Sequence, residues 1–207
     1  MVLSLICLVI LSAATSVPDP VSIVEKSETL YAGAKTFSAT FTQLVSSGDF
    51  FEPEATEGKL LMRYPESFRI ETAEQVIVSD GDTLWSYSDE NKQVTIEPVA
   101  NVNEMVTPAD YLFHFKADYE LKYDTLLSFG KEKAHRLQLT RKSKDHYVQS
   151  MELWIGSVSS HILRVRYLDI NDNEVVLEFS EWKFGIKIDP SRFRFSAPEG
   201  VEEIRLP

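Results

Sequence analysis

Residues 58–87 read GKLLMRYPESFRIETAEQVIVSDGDTLWSY and contain three strand patterns separated by two turns. Apolar side chains recur at every second position on both sides of Pro65, at Leu60, Met62 and Tyr64 and again at Phe68 and Ile70. A period of two places these side chains on one face of antiparallel strands. Asp80-Gly81 separates two further strand patterns and predicts a tight hairpin, because glycine adopts the positive φ that such turns need. The stretch therefore predicts an antiparallel sheet with one apolar face.

The same alternation continues through the second half of the chain. Large apolar residues recur at every second position in four segments, at Leu137 and Leu139, at Met151, Leu153 and Ile155, at Leu163, Val165 and Tyr167, and at Val175, Leu177 and Phe179. Most of the intervening positions are charged or polar, which is typical of half-buried strands. We therefore expect an antiparallel sheet curled around one apolar interior.

A first helix is predicted directly after Asp19-Pro20. Asp19 can accept hydrogen bonds at the helix N-terminus, and proline is favoured in the first turn. Apolar residues follow at helical spacing, at Ile23, Val24, Leu30, Tyr31 and Ala34. We expect this apolar stripe to pack on the sheet.

A second, short helix is predicted from Thr107-Pro108, where Thr107 can cap and Pro108 can occupy the first turn. Its side chains are apolar almost all round, at Tyr111, Leu112, Phe113 and Phe115. Such a helix must be covered on every side, either by the protein core or by a ligand. Both interpretations stay open from the sequence.

Length and composition are those of one globular domain. The chain has 207 residues, 43% hydrophobic and 11% aromatic, enough for a sizeable core. The apolar run at residues 3–14 is too short to span a bilayer and precedes small residues, so we expect residues 1–16 to be a signal peptide and residues 17–207 a single domain. Cys7, the sole cysteine, lies in this leader, so the mature chain is expected to have no disulfide.

Charge and motif content argue against several functions. The net charge is −11, and residues 1–16 carry no charged side chain, which makes nucleic acid an unsuitable partner. The four histidines are scattered without metal-ligand spacing, and no serine lies in a G-x-S-x-G elbow. We therefore expect no enzymatic activity, no metal and no cofactor.

Three patches of the chain resemble one protein family. P-x-x-F-R-x-E at 65–71 with V-S-D-G-x-T-L-W-x-Y at 78–87 looks like the periplasmic outer-membrane lipoprotein carrier family, LolA. FSATFTQ at 37–43 resembles the first strand of that family, and FRFSAPEGVEEI at 193–204 resembles its closing segment. The patches occur in the family's order and frame most of the mature chain.

The resemblance implies a fold and a function. The implied fold is mainly β, of the α+β kind: an unclosed antiparallel β-barrel of roughly ten or eleven strands with a lid of short helices. The implied function is a periplasmic chaperone, expected to be a monomer and not integral to the membrane, that carries lipoproteins by their acyl chains. The implied partners are an inner-membrane LolCDE-type ABC transporter as donor and an outer-membrane LolB-type receptor as acceptor.

The resemblance also suggests which residues contact lipid. We expect the lipid-binding residues to be Leu60, Met62, Tyr64, Phe68, Ile70, Trp85, Leu112 and Phe113. Trp85 could stack against acyl chains or fill the interior. Many relatives carry an arginine that latches the lid where this chain has Tyr64, and Arg63 lies one residue away on the opposite face of the strand. Tyr64 could replace the latch through its hydroxyl or simply pack against the lid.

Other functions for the same fold stay open from the sequence. A LolB-type receptor would need a lipidated cysteine, but only six residues precede Cys7, too few for a lipoprotein leader. It would also carry an apolar protruding loop, whereas the loop at 72–74 is short. A carrier or sensor of another periplasmic lipid and a lipocalin-like binder of small molecules are the remaining alternatives.

Overall fold

The computed structural model describes residues 17–47, 52–102, 107–143, 148, 150–169 and 171–207. The predicted signal peptide, residues 1–16, lies outside these ranges. The α-helices are α1 (Pro20–Ala34), α2 (Pro108–Leu112) and α3 (Phe115–Asp118), and 3-10 turns occur at Val99–Asn101 and Pro190–Phe193. The strands are β1 (Thr36–Ser46), β2 (Glu54–Arg63), β3 (Ser67–Thr72), β4 (Gln75–Ser79), β5 (Thr83–Ser88), β6 (Gln93–Pro98), β7 (Tyr119–Phe129), β8 (Glu132–Arg141), β9 (Ser150–Gly156), β10 (Ile162–Leu168), β11 (Glu174–Phe184) and β12 (Glu202–Arg205).

These strands form one sheet in the order β12-β6-β5-β4-β3-β2-β1-β11-β10-β9-β8-β7. Adjacent strands run antiparallel, except that β12 runs parallel to β6. The two ends of the order, β12 and β7, are edges, so the barrel is unclosed as predicted. The described residues contain twelve strands rather than ten or eleven. The strand least visible in the sequence is β12, which has four residues and no apolar alternation.

Strand register gathers five apolar side chains of residues 58–87 on one face, namely Leu60, Met62, Phe68, Ile70 and Ile77. Met62 lies opposite Phe68, and Leu60 lies opposite Ile70. Ile70 in turn lies opposite Ile77. The three helices cover this face, which we call the concave face. The other side of the sheet is called the convex face.

Helix α1 forms where the sequence predicts it. The carboxylate of Asp19 accepts hydrogen bonds from the backbone N–H groups of Val21 and Ser22, at 3.2 and 3.1 Å. Ile23, Val24 and Tyr31 are buried, and helix α1 packs against β1, β7 and β9. The amphipathic helix thus closes part of the concave face.

The predicted second helix begins at Pro108 but is interrupted. His114 adopts a left-handed conformation with φ of 65°, which ends α2 and starts α3. Leu112, Phe113 and Phe115 are nevertheless all buried in the same core. Of the two interpretations of this apolar segment, the structure shows a plug packed into the core.

A smaller apolar cluster lies on the convex face. Val78, Val94 and Ile96 are buried there, outside the main core. Phe193 of the C-terminal segment is also buried, and the ring of Phe195 lies 5.1 Å from the ring of Tyr87 on β5. The sheet is therefore covered on both faces near β4 to β6.

Candidate functional site

The concave face carries a cluster of aromatic rings beneath α1. Tyr31 of α1 lies 5.0 Å from Phe37 and 5.4 Å from Trp182, measured between ring centroids. Trp182 is stacked on Phe184 at 5.7 Å. Phe113 contacts Tyr31 edge-on at 5.7 Å. Burial raises the pKa of the Tyr31 hydroxyl, which accepts a hydrogen bond from the backbone of β10.

A cavity of about 180 Å³ opens between α2 and the sheet. Its lining combines apolar residues with polar ones, namely Phe41, Phe68, Ile70, Ile77, Pro108, Tyr111, Tyr167 and Leu177 with Gln43, Thr56, Thr72, Glu74, Gln75 and Thr107. Sites for drug-sized ligands measure about 300 to 1,000 Å³. The cavity is therefore too small for a long acyl chain unless α2 moves away from the sheet.

The helices are held to one another by two polar contacts. The Glu28 carboxylate accepts a hydrogen bond from the backbone N–H of Phe115 at 3.0 Å, and Lys116 forms a 2.6 Å ion pair with Glu25. Burial raises the pKa of Glu28 above its ordinary value. The Lys116 pair is exposed, and exposed ion pairs contribute little to stability because water screens them. The helices thus form one cover, and the ion pair on its outer side is weak.

A glycine in β2 lets an aromatic ring lie flat on the concave face. Gly58 lies opposite Phe41, and a Cβ atom at Gly58 would be 2.3 Å from the nearest ring carbon of Phe41. It would also be 2.9 Å from the Glu71 carbonyl oxygen. The glycine is needed for this close approach.

A larger groove lies beside β1, with a volume of about 560 Å³. Its lining is mainly polar and charged and includes Thr40, Glu57, Lys59, Glu71 and Glu181. Such a lining does not suit apolar ligands. The helix-covered cavity is therefore the better candidate for an apolar site despite its smaller volume.

Most of the predicted site residues lie on the concave side. Leu60, Met62 and Phe68 are buried in the core, as are Leu112 and Phe113 on the helical cover. Ile70 is half-buried and lines the cavity. The buried residues become accessible to a ligand only if the helices separate from the sheet.

The predicted lid residue Tyr64 contacts the helical cover. Its ring meets Phe113 edge-on, with 5.1 Å between centroids. Tyr64 is half-buried and packs against the main core. This placement favours packing over a hydroxyl latch as the role of Tyr64.

Trp85 lies on the opposite face of the sheet from the other predicted lipid-binding residues. It lies opposite Val78 and Ile96, and Val78 lies opposite Arg69, so its side chain points to the convex face. The concave position of that strand is Leu84, which lies opposite Ser79. Assigning Trp85 to the same face as the other predicted residues was wrong, because the strand phase changes across the Asp80-Gly81 turn.

Sequence reasoning left several residues out of the site. Phe41, Tyr111 and Leu177 line the cavity, and each was visible as an apolar strand or helix position. Trp182 was harder to place, since it is out of phase with Phe179. A register irregularity opposite β1, with Glu181 at φ of 52°, brings the Trp182 ring to the concave side.

Within the described residues, no group of three or more histidine, cysteine, aspartate and glutamate side chains is arranged to hold a metal ion. None of the described helices has both the length and the apolar character to cross a membrane.

Residues 32–196 match the family described as outer membrane lipoprotein carrier protein LolA, and the chain belongs to that family. It is 30% identical over 181 residues to an outer-membrane lipoprotein carrier protein of Methylibium petroleiphilum, covering 84% of each chain. A second carrier protein of that name, from Chromobacterium violaceum, is 27% identical, with 94% of this chain and 93% of the relative covered.

The solved structures agree in fold. An uncharacterized conserved protein from Thermus thermophilus superposes with a TM-score of 0.59 at 16% identity. The match covers 90% of this chain and 96% of that structure. At this identity the likeness supports the fold alone.

Proposed function

We propose that this protein is a periplasmic carrier that binds the acyl chains of lipoproteins on its concave face and takes them from the inner to the outer membrane. The observation that carries the proposal is the apolar concave face with its helical cover, found in a chain of the LolA family. The cavity beneath α2 would be the point at which the cover first separates from the sheet.

Carrier function requires limited affinity, and an unclosed barrel can provide it. Each buried methylene contributes about 0.8 kcal/mol, so two sixteen-carbon chains with about 30 methylenes would contribute about 24 kcal/mol if fully buried. The tightest non-covalent complexes reach only about 18 to 21 kcal/mol. A sheet that leaves part of each chain exposed can still release its cargo.

Loading must draw on energy from another protein, because the sequence has no nucleotide-binding loop. A LolCDE-type transporter is the proposed donor and a LolB-type receptor the proposed acceptor. We further propose that residues 1–16 direct secretion and are removed, and that residues 17–207 act as a monomer. No catalytic step is part of this function.

The receptor alternative gains no support from the site. The loop joining β3 and β4 is a tight turn, in which the Thr72 hydroxyl accepts hydrogen bonds from the N–H groups of Glu74 and Gln75. Such a turn does not provide the apolar protrusion expected of a LolB-type receptor.

A release assay tests the proposal. The purified protein is added to inner-membrane vesicles that contain a labelled lipoprotein and the ATP-driven donor. We expect labelled lipoprotein to enter the supernatant in a one-to-one complex, only when both ATP and the protein are present. If lipoprotein stays in the membrane although the folded protein binds an apolar dye, the carrier function is refuted.

A further inference from the structure

The indole of Trp182 has a buried N–H group without a hydrogen-bond partner among the described residues. The ring itself is half-buried and lies in the aromatic cluster under α1. Leaving a buried donor unpaired costs about 1 to 3 kcal/mol. An unpaired buried donor in a folded protein therefore needs an explanation.

Other buried polar atoms are also unpaired among the described residues, namely Ser27 Oγ, Ser86 Oγ and His135 Nδ1. A serine hydroxyl can rotate and can donate or accept, and an imidazole can change tautomer. The indole N–H of Trp182 can only donate, and its direction is fixed by the ring. It therefore specifies the chemistry of its partner: a hydrogen-bond acceptor.

Aromatic rings connect Trp182 with the cavity under α2. Tyr111 lines that cavity and lies 5.9 Å from Phe179, which lies 5.5 Å from Trp182. On its other side Trp182 contacts Phe184 and His161. Burial lowers the pKa of His161, which keeps this imidazole neutral near pH 7. A chain that enters the cavity and displaces α2 would follow an apolar path to the indole.

We propose that the indole N–H of Trp182 donates a hydrogen bond to a carbonyl oxygen of an acylated ligand on the concave face. The inference rests on the proposed carrier function and adds a polar point of recognition to it. Hydrocarbon tails alone provide no acceptor, whereas each ester- or amide-linked acyl chain provides one. Trp182 therefore selects esterified chains over carbonyl-free chains of equal length.

The test compares two short-chain lipids that differ only in their linkage, a diester and the corresponding diether. We expect the protein to bind the diester about fivefold more tightly, which corresponds to about 1 kcal/mol for one hydrogen bond. Only the diester should move the indole ¹H resonance of Trp182 downfield in a ¹H–¹⁵N spectrum. Binding and spectrum are both measured on the unmodified protein.

Phenylalanine variants assign the three indole signals and serve as controls. Trp182→Phe should abolish the preference for the diester while retaining diether binding. Trp85→Phe and Trp154→Phe should retain the preference, because both rings lie on the convex side. Circular dichroism establishes that each variant is folded.

The outcomes separate this inference from the carrier function. Equal binding of both lipids by the unmodified protein, with no shift of the Trp182 signal, overturns the inference and leaves acyl binding intact. Binding of neither lipid by the folded protein overturns acyl binding and the inference together. A diester preference that survives Trp182→Phe assigns the donor to another group and overturns the inference.

Discussion

Replacing Tyr64 by alanine should loosen the helical cover, because the Tyr64 ring supports Phe113 from the end of β2. The ring centroids are 5.1 Å apart and the planes are nearly perpendicular, at 84°. Phe113 also contacts Tyr31 and Phe37, so it connects the cover to the sheet at several points. The edge-on contact requires the ring of Tyr64 and not its hydroxyl.

The expected loss of stability in Tyr64→Ala follows from the burial of the Tyr64 side chain. Truncating a fully buried aromatic residue to alanine costs about 3 to 5 kcal/mol. Tyr64 is half-buried, so we expect Tyr64→Ala to lower the free energy of unfolding by about 2 kcal/mol. Tyr64→Phe retains the ring and should change that free energy by less than about 0.5 kcal/mol.

A double-mutant cycle isolates the contact between the two rings. Chemical denaturation of Tyr64→Ala, Phe113→Ala and the double variant should give a coupling free energy of about 0.5 to 1.5 kcal/mol. Hydrogen exchange at α3 should also accelerate in Tyr64→Ala, because the cover opens more readily.

A different result would refute the packing role. If Tyr64→Phe is as destabilising as Tyr64→Ala, the hydroxyl holds the cover and Tyr64 acts as a polar latch. A coupling free energy near zero would show that the two rings do not support one another.

Two further predictions concern stability. Gly58→Ala should lower the free energy of unfolding by about 1 to 3 kcal/mol, because the added Cβ would collide with the Phe41 ring. Gly33→Ala in α1 is the control and should raise that free energy by about 0.5 to 1 kcal/mol, because a Cβ there meets nothing within 4 Å. Equal effects of the two substitutions in urea denaturation would contradict the close contact at Gly58. Burial lowers the pKa of His161 below 6.5, so the unfolded chain binds the proton more readily and stability is lost as pH falls through 6.5. The decrease in Tm between pH 7.5 and 5.5 should therefore be smaller in His161→Phe, and an unchanged decrease would exclude this contribution.

The sheet was predictable from the sequence wherever alternation was uninterrupted. Leu60, Met62, Phe68 and Ile70 alternate strictly, and the structure places them together on the concave face. The start of α1 was equally predictable from Asp19, because an N-cap depends on local hydrogen bonds.

Irregular register explains what the sequence did not reveal. The alternation suggested Leu163 as a partner of Val165, but a register shift in β10 buries Ile162 with Val165 instead. Trp182 reaches the concave side by a similar irregularity in β11. A bulge adds one residue to one strand and reverses the phase beyond it, so alternation alone cannot detect it.

Strand β12 and the convex cluster depend on long-range pairing. Four residues running parallel to β6 carry no periodic signal of their own. The contact between the rings of Phe195 and Tyr87 on the convex face likewise joins distant parts of the chain. Residue patterns report local geometry and do not encode such pairings.

Site-specific photo-crosslinking shows directly whether acyl chains lie on the concave face. Ile70 on the concave face and Leu61 on the convex face are both half-buried and lie in neighbouring strands. A photoreactive amino acid is placed at one position or the other, and the variant is loaded with a lipoprotein whose acyl chains are labelled. We expect crosslinks to the acyl chains from position 70 and none from position 61. Crosslinks of equal yield from both positions, or from position 61 alone, would contradict binding on the concave face.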